Sequence, residues 1–373
     1  MRYYVISGEA SGDLHGAHLI KALKKIDPQA EFRAWGGNQI EAQGVFLVKH
    51  IRDLAFMGFW EVILHLPQIY RNIKQCKKDI LAYAPDAIIY IDYPGFNLRI
   101  ARWAKKQGFK NHYYISPQVW AWKENRVRHM KQSLDALYVI LPFEKTFFEK
   151  KHHYPVHYVG HPLMDYIPKQ TIDNSFFKRH LLNPEKPLIA LLPGSRLQEI
   201  HKMLPLFIQV AKAFPDFNFA LAAAPGISDN TYQHYLKNSI IVLVKNNTYG
   251  LLQNSSAALV TSGTATLETA LFEVPQLVCY RSSALSYWIG KKVIKLRYIS
   301  LVNLILDAPV VPELIQNQCR KEVLIEQLKI LFELHKKEAI LLQYRKLKSL
   351  LGKGGASEKT AQLIVRQLTS SSG

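Results

Sequence analysis

The sequence predicts an α/β protein of two doubly wound domains that face each other across a cleft. Three observations predict it. Short apolar runs alternate with helix-length segments, the rhythm of βαβ units. The run at 87–91, AIIYI, is apolar throughout, as a parallel strand covered on both faces must be. The pattern stops in a polar stretch near residue 165 and restarts near 188, and 373 residues suffice for two cores.

The predicted strands of the first half are 3–7, 31–35, 87–91, 112–115, 136–140 and 157–159. Each is rich in Tyr, Ile, Val, Phe or Trp, whose side chains fit a pleated surface. Helical periodicity fills the gaps, for example at 14–26 and 98–107. Gly160-His161-Pro162 breaks the last strand, and irregular polar sequence runs to about Asn174. Strand 188–192 opens the second half and runs into Pro193-Gly194-Ser195-Arg196; strands 217–222, 240–244, 257–260 and 276–279 follow. Helices at 322–334, 339–351 and 357–369 end the chain, the last two parted by Gly352-Lys353-Gly354-Gly355. That break predicts a final segment, 356–373, that returns to the first domain. The expected domains are therefore 1–165 with 356–373, and 175–355.

Hydrophobic residues make up 48% of the chain and charged residues 21%, which excludes disorder as the main state. Three distant cysteines, Cys76, Cys279 and Cys319, exclude a disulfide scaffold and a Cys-rich zinc module. Lys and Arg number 48 against 29 acids, a net charge of +19. Such a balance points to polyanionic partners: nucleic acid, an anionic membrane or phosphorylated substrates. No RNP-like, zinc-finger or helix-turn-helix pattern supports nucleic acid. The first apolar run meets Gly8 and Glu9 at once, too early for a signal peptide, and no uncharged run reaches ~18 residues. A cytoplasmic protein with peripheral membrane contact is expected. Segment 54–70, LAFMGFWEVILHLPQIY, carries an apolar stripe wider than a core face needs and leads into Arg71, Lys74, Lys77 and Lys78. It reads as an interfacial helix or a mouth for greasy substrates, with a plain core helix as the alternative.

Five segments at strand ends carry candidate chemistry, because doubly wound sheets gather function there. Ser7-Gly8-Glu9-Ala10-Ser11-Gly12-Asp13 opens the first helix and offers backbone N–H groups to an anion. It lacks the dinucleotide spacing, and no acid ends the second strand, so nicotinamide binding is not expected. Strand 87–91 delivers Asp92 to its carboxyl end, where a carboxylate can act as general base on a hydroxyl; Asn97 is the candidate cap of the next helix. Trp120 and Trp122 in SPQVWAW either stack on a ligand or pack their own loop. Gly194, Ser195 and Arg196 suit a diphosphate, the glycine turn presenting N–H groups and the arginine a fork of donors. TSGTATLE at 261–268 adds donors at Gly263 and Thr264, and Glu268, one turn beyond Thr264, is spaced to hold the hydroxyls of a ribose. No Asp-x-Asp pair occurs, so a divalent metal held by carboxylates is not expected; no other cofactor is expected either.

GEASGD, LAFMGFWEV, IDYPGFN, SPQVWAW, LPFEK, VGHP, LLPGSR, SGTATLE and YISLVNLIL follow one another in an order that resembles the lipid-A-disaccharide synthases. The resemblance covers nearly the whole chain. It implies an inverting GT-B glycosyltransferase that joins UDP-2,3-diacylglucosamine to 2,3-diacylglucosamine 1-phosphate, releasing UDP and a β-1,6-linked disaccharide 1-phosphate. It also implies a Gram-negative source, action at the inner face of the inner membrane, and a homodimer through exchange of the C-terminal part. Asp92, Glu9 and Arg196 are then the expected catalytic residues. Gly194, Ser195, Arg196, Gly263, Thr264 and Glu268 are expected around UDP, and Ser11, Gly12, Asp13 and Asn303 toward the sugars. Some members carry a second acid where this chain has Gly95, which leaves Asp92 as the base candidate of its loop. Two rivals stay open: another UDP-N-acetylglucosamine enzyme of the same plan, such as the peptidoglycan glycosyltransferase or the 2-epimerase, and a nucleic-acid-binding protein.

Overall fold

A computed structural model describes residues 1–54, 66–282 and 296–370. The chain divides into two compact units, one of Met1–Asp165 with Leu351–Gly373 and one of Tyr166–Leu350. The first unit holds a seven-stranded sheet: β1 (Arg2–Ile6), β2 (Glu31–Gly36), β3 (Phe46–His50), β4 (Ala87–Ile91), β5 (Lys110–Tyr114), β6 (Ala136–Val139) and β7 (His157–Tyr158). Their order is β3-β2-β1-β4-β5-β6-β7, and every pairing is parallel. The second unit holds β8 (Leu188–Leu192), β9 (Asn218–Ala222), β10 (Ile241–Val244), β11 (Ala257–Thr261), β12 (Gln276–Tyr280) and β13 (Glu313–Ile315). Their order, β10-β9-β8-β11-β12-β13, is again fully parallel. Each unit is a doubly wound α/β fold.

These orders position the candidate loops. The strand order reverses between β1 and β4 in one sheet and between β8 and β11 in the other. At such a switch point the two crossovers leave on opposite faces, and the loops at the carboxyl ends part to make a crevice. The loops that open there are those after Ile6, Ile91, Leu192 and Thr261, four of the five segments singled out from sequence. Strands β4, β8 and β11 are buried over their whole length. Each fully buried Ile or Leu contributes about 1.5–3 kcal/mol relative to exposure, so these strands hold the loops on rigid rails.

Two of the four edge strands, β3 and β13, were not expected. β3 is half-exposed, with Phe46 at 63%, and β13 has only three residues, so neither shows the apolar run that marks a central strand. The last helix, Ala356–Ser370, packs on helix Ala10–Ile26 within the first unit. Asp165 caps it: Oδ1 accepts the N–H of Gly355 (2.6 Å) and Ala356 (3.0 Å), and Oδ2 that of Ser357 (3.0 Å). Gly354 lies at φ 92°, and a Cβ there would come within 2.8 Å of the Met164 carbonyl oxygen, so the turn requires glycine.

Segment 54–70 falls largely outside the described residues. At its end Tyr70 is 71% exposed, and the cations that follow lie on helix Leu66–Tyr83. Among the described residues no helix is long and apolar enough to cross a membrane.

Candidate active site

In the first unit the switch point is acidic. Glu9 occupies the N-cap position of helix Ala10–Ile26 at φ −140°, yet its side chain makes no capping bond. Its charge acts instead on Asp92, just past β4. Burial, and then Glu9, push the Asp92 carboxyl up to about 7, against a backbone hydrogen bond from Tyr93 that lowers it. A carboxyl in that range suits a general base at neutral pH.

Holding Asp92 there requires strain. Asp92 (φ 44°) and Tyr93 (φ 49°) are consecutive left-handed residues without being glycine. Three bonds offset the cost. The Asp92 carbonyl accepts from Asn97 Nδ2 (2.7 Å) and Tyr113 Oη (2.5 Å), and its N–H donates to the Tyr114 carbonyl (3.3 Å). Asn97 is therefore not the helix cap expected from sequence. The helix begins at Pro94, and Asn97, fully buried in its first turn, ties down the strand end instead. Gly8 completes the packing, because a Cβ there would meet the Tyr93 ring at 2.3 Å.

Among the other residues of the first turn, Ser11 is exposed and Gly12 buried. Asp13 spends its carboxylate on the protein: Oδ1 accepts from the N–H of Gly37 (2.7 Å) and Ile40 (3.1 Å), and Oδ2 from that of Gln39 (3.0 Å). It caps helix Asn38–Glu41 and is no longer placed to bind a sugar.

Sequence reasoning missed Glu144. This acid is 1% exposed and accepts the N–H of Ile140 (3.0 Å) and Leu141 (2.9 Å) on one oxygen and Trp120 Nε1 (3.2 Å) on the other. Burial, with Asp92 as a lesser cause, pushes it up to about 7 despite those donors. Trp120 is thus held by the segment that follows β6, edge-on to Phe143 at 4.9 Å. Trp122 is 42% exposed, with Lys123 Nζ 4.4 Å from its ring centroid. Within LPFEK, Glu144 three residues after Leu141 was the available signal, a capping-box spacing.

In the second unit the switch point is rich in donors. Gly194 lies at φ 108°, and a Cβ there would approach Glu199 Oε2 to 2.3 Å. That carboxylate oxygen accepts the N–H of Ser195 (3.1 Å) and Arg196 (3.2 Å), so an internal anion already sits on the turn. The Arg196 side chain is 56% exposed, 3.9 Å from the other Glu199 oxygen. Across the switch, Gly263 (φ 156°, ψ −164°) adopts backbone that glycine alone takes readily and opens helix Thr264–Leu271. Gly263 and Thr264 are exposed. Glu268 is half-buried; one oxygen accepts from Tyr249 Oη (2.9 Å), and burial raises its pKa. Tyr249 stacks on Tyr166 at 6.2 Å, which fixes the carboxylate's orientation.

Asn303 does not join this group. Its Nδ2 donates to the Val311 carbonyl and to Glu313 (2.9 Å each), and its Oδ1 accepts the N–H of Val310 (2.9 Å) and Val311 (3.0 Å). At 1% exposure every polar position of the amide is used, so the expectation of a sugar contact is corrected to a structural knot.

Sequence similarity points to one family. A family model described as lipid-A-disaccharide synthetase matches residues 3–366. A lipid-A-disaccharide synthase of Nitrosococcus oceani is 37% identical over 371 residues, covering 98% of this chain and 95% of the relative. One from Coxiella burnetii is 35% identical over 365 residues, with 96% of each covered. In fold, the chain is similar to the crystal structure of UDP-GlcNAc 2-epimerase from Neisseria meningitidis bound to UDP-GlcNAc, at a TM-score of 0.70 and 14% identity, covering 98% of this chain and 100% of that one. The architecture is thus GT-B, and the chain belongs to the lipid-A-disaccharide synthase family, glycosyltransferases of lipid A biosynthesis.

Proposed function

We propose that the chain transfers 2,3-diacylglucosamine from UDP to the 6-hydroxyl of 2,3-diacylglucosamine 1-phosphate by a single, inverting, metal-independent displacement. The observation that carries this reading is Asp92, an acid held in strained backbone at a switch point with its carboxyl raised to about 7. As the acceptor oxygen attacks C1 of the donor, its proton passes to the Asp92 carboxylate. The C1–O bond to the diphosphate breaks on the opposite side, and its electron pair leaves with UDP. A sugar hydroxyl is too weak an acid to ionise first, so proton transfer accompanies bond formation. Glu9 keeps the base from ionising too readily and is the reserve base. Arg196 and the N–H groups beyond Gly194 take up charge on the leaving diphosphate. Gly263 and Thr264 add donors, Glu268 accepts from the ribose, and Ser11 and Gly12 line the acceptor side. Purified enzyme should release UDP only when both acylated sugars are present, and EDTA should leave the rate intact. UDP release without acyl chains would favour the 2-epimerase or peptidoglycan-type reading, and loss of activity restored by magnesium would end the metal-free one.

A net charge of +19 and the apolar segment at 54–70 support peripheral binding to an anionic inner-membrane surface, with the chain in the cytoplasm. Replacing Trp60, Ile63 and Leu66 by Ser should raise the fraction of enzyme recovered without membranes and leave the thermal transition in place. Collapse of that transition would return the segment to the core.

A further inference from the structure

The second unit contains a cavity of about 830 Å³ that no part of the proposed reaction uses. It runs along one face of helix Leu334–Leu351, where Lys336, Ala339, Ile340, Gln343 and Lys346 recur at helical spacing. Lys336 and Lys346 are ten residues apart, about 15 Å along the axis, so the cavity is an elongated groove with a cation near each end. Its floor is apolar: Val311, Leu331 and Ile340 are at most 7% exposed, and the Glu313 carboxylate in its wall accepts from the N–H of Ile299 and Ser300, from Ser300 Oγ and from Asn303 Nδ2. Both lysines are exposed, and neither has a carboxylate partner among the described residues. Tyr298 in the wall is 8% exposed, and its hydroxyl has no hydrogen-bond partner among the described residues.

An apolar trough with cations at its ends matches a molecule with one extended hydrocarbon chain and an anionic head. Its length suits a medium acyl chain, and its volume lies within the range of small-molecule sites. A nucleotide would leave the floor unused, and a neutral lipid would leave the lysines without a counter-charge. We propose that this groove binds a single-chain anionic amphiphile, its chain over Ile340 and its carboxylate or phosphate head on Lys336 or Lys346. The site stands independently of the transfer reaction. It adjoins the proposed donor loop, since Ile299, next to Tyr298, accepts from Ser262 Oγ at 2.8 Å.

Dansyl-undecanoate titrated into the full-length enzyme should show saturable fluorescence at one site. Ala339→Trp, which fills the groove from an exposed helix position, should weaken binding at least tenfold without moving the melting temperature. One of Lys336→Glu and Lys346→Glu should weaken it by about tenfold or more, the factor expected for a lost charge-assisted bond, and thereby locate the head. Dodecyl phosphate should displace the probe, and dodecanol should not. Displacement by single-chain lysophosphatidylglycerol below its micellar concentration as well would identify a lipid headgroup phosphate as the source, and displacement by dodecyl phosphate alone a free amphiphile; either supports the site. Unsaturable binding, indifference to Ala339→Trp, indifference to both charge reversals, equal displacement by dodecanol, or displacement by neither anion would overturn it.

Discussion

The two switch points are built on one topology and carry opposite chemistry. Beyond β1 and β4 the chain presents carboxylates, Glu9 and Asp92, and spends backbone strain to hold one of them. Beyond β8 and β11 it presents glycines, backbone N–H groups and Arg196. The strands beneath are interchangeable apolar rails, so the difference lies in a few residues past each strand end. The first crevice raises the pKa of an acid, which suits taking a proton. The second presents donors that would suit a negative charge, and Glu199 already accepts from two of them. The fold fixes where chemistry happens, and the loops decide its sign.

The hardest test of that contrast is Asp92→Asn, which keeps the shape and removes the basicity. Turnover should fall by about 10²–10⁴-fold with donor binding little changed. In the parent enzyme kcat/KM should rise with pH through about 7, as Asp92 ionises. Stability should run the other way. The folded-state pKa of Asp92 lies above its unfolded value of 3.8, so the native state binds the extra proton between the two. Stability therefore declines as pH rises from about 4 to about 7 and levels off above. Asp92→Asn should flatten part of that decline in thermal melts; Glu144, shifted the same way, should keep the rest. Near-normal turnover in Asp92→Asn beside a dead Glu9→Gln would exchange the two roles.

On the other side of the comparison, Arg196→Ala should lower turnover by about 10²–10³-fold, the usual loss for one donor to developing charge. An unchanged rate would leave the backbone N–H groups as the anion site. Glu268→Ala should act on binding rather than on rate. Loss of a charge-assisted hydrogen bond worth ~1.5–3 kcal/mol should weaken UDP by about 10–150-fold in calorimetry. If UDP bound Glu268→Ala as tightly as the parent, the acid would serve only to anchor Tyr249.

Sequence revealed the rails and their ends because central strands announce themselves locally. AIIYI can hardly be anything but a buried strand, and the residue after it had to emerge at the sheet edge. Partnerships formed over long range stayed hidden. Asp13 and Asn303 look like site residues in their motifs, yet their polar atoms are claimed by Gly37 and Ile40, and by Val310 and Glu313, across turns no local pattern specifies. Glu144 was not singled out from sequence, because its role as a buried anchor joins it to Trp120, 24 residues upstream. Asn97 was misassigned because capping is a short-range rule, whereas the side chain reaches the Asp92 carbonyl at 2.7 Å.

The smallest expected effect sharpens the comparison most. Glu199 places a negative charge on the very N–H groups that a diphosphate would use, its Oε2 at 3.1 and 3.2 Å from two of them. If the second switch point is an anion site, that carboxylate is a competitor, and ligand phosphate must displace it or share its donors. Glu199→Gln keeps an acceptor oxygen and the length of the side chain, so the cap and the turn should survive. It removes the charge. Charge at a helix terminus is worth ~0.3–1 kcal/mol at exposed positions, so UDP should bind about two- to fivefold tighter, and the gain should shrink as salt is raised. A matched Asp13→Asn change in the first unit should leave UDP affinity unmoved, since that acid caps a helix near the acidic switch. If Glu199→Gln instead weakened UDP without lowering the melting temperature, the carboxylate would be shaping the turn for its ligand. The second crevice would then depend on an acid as much as the first.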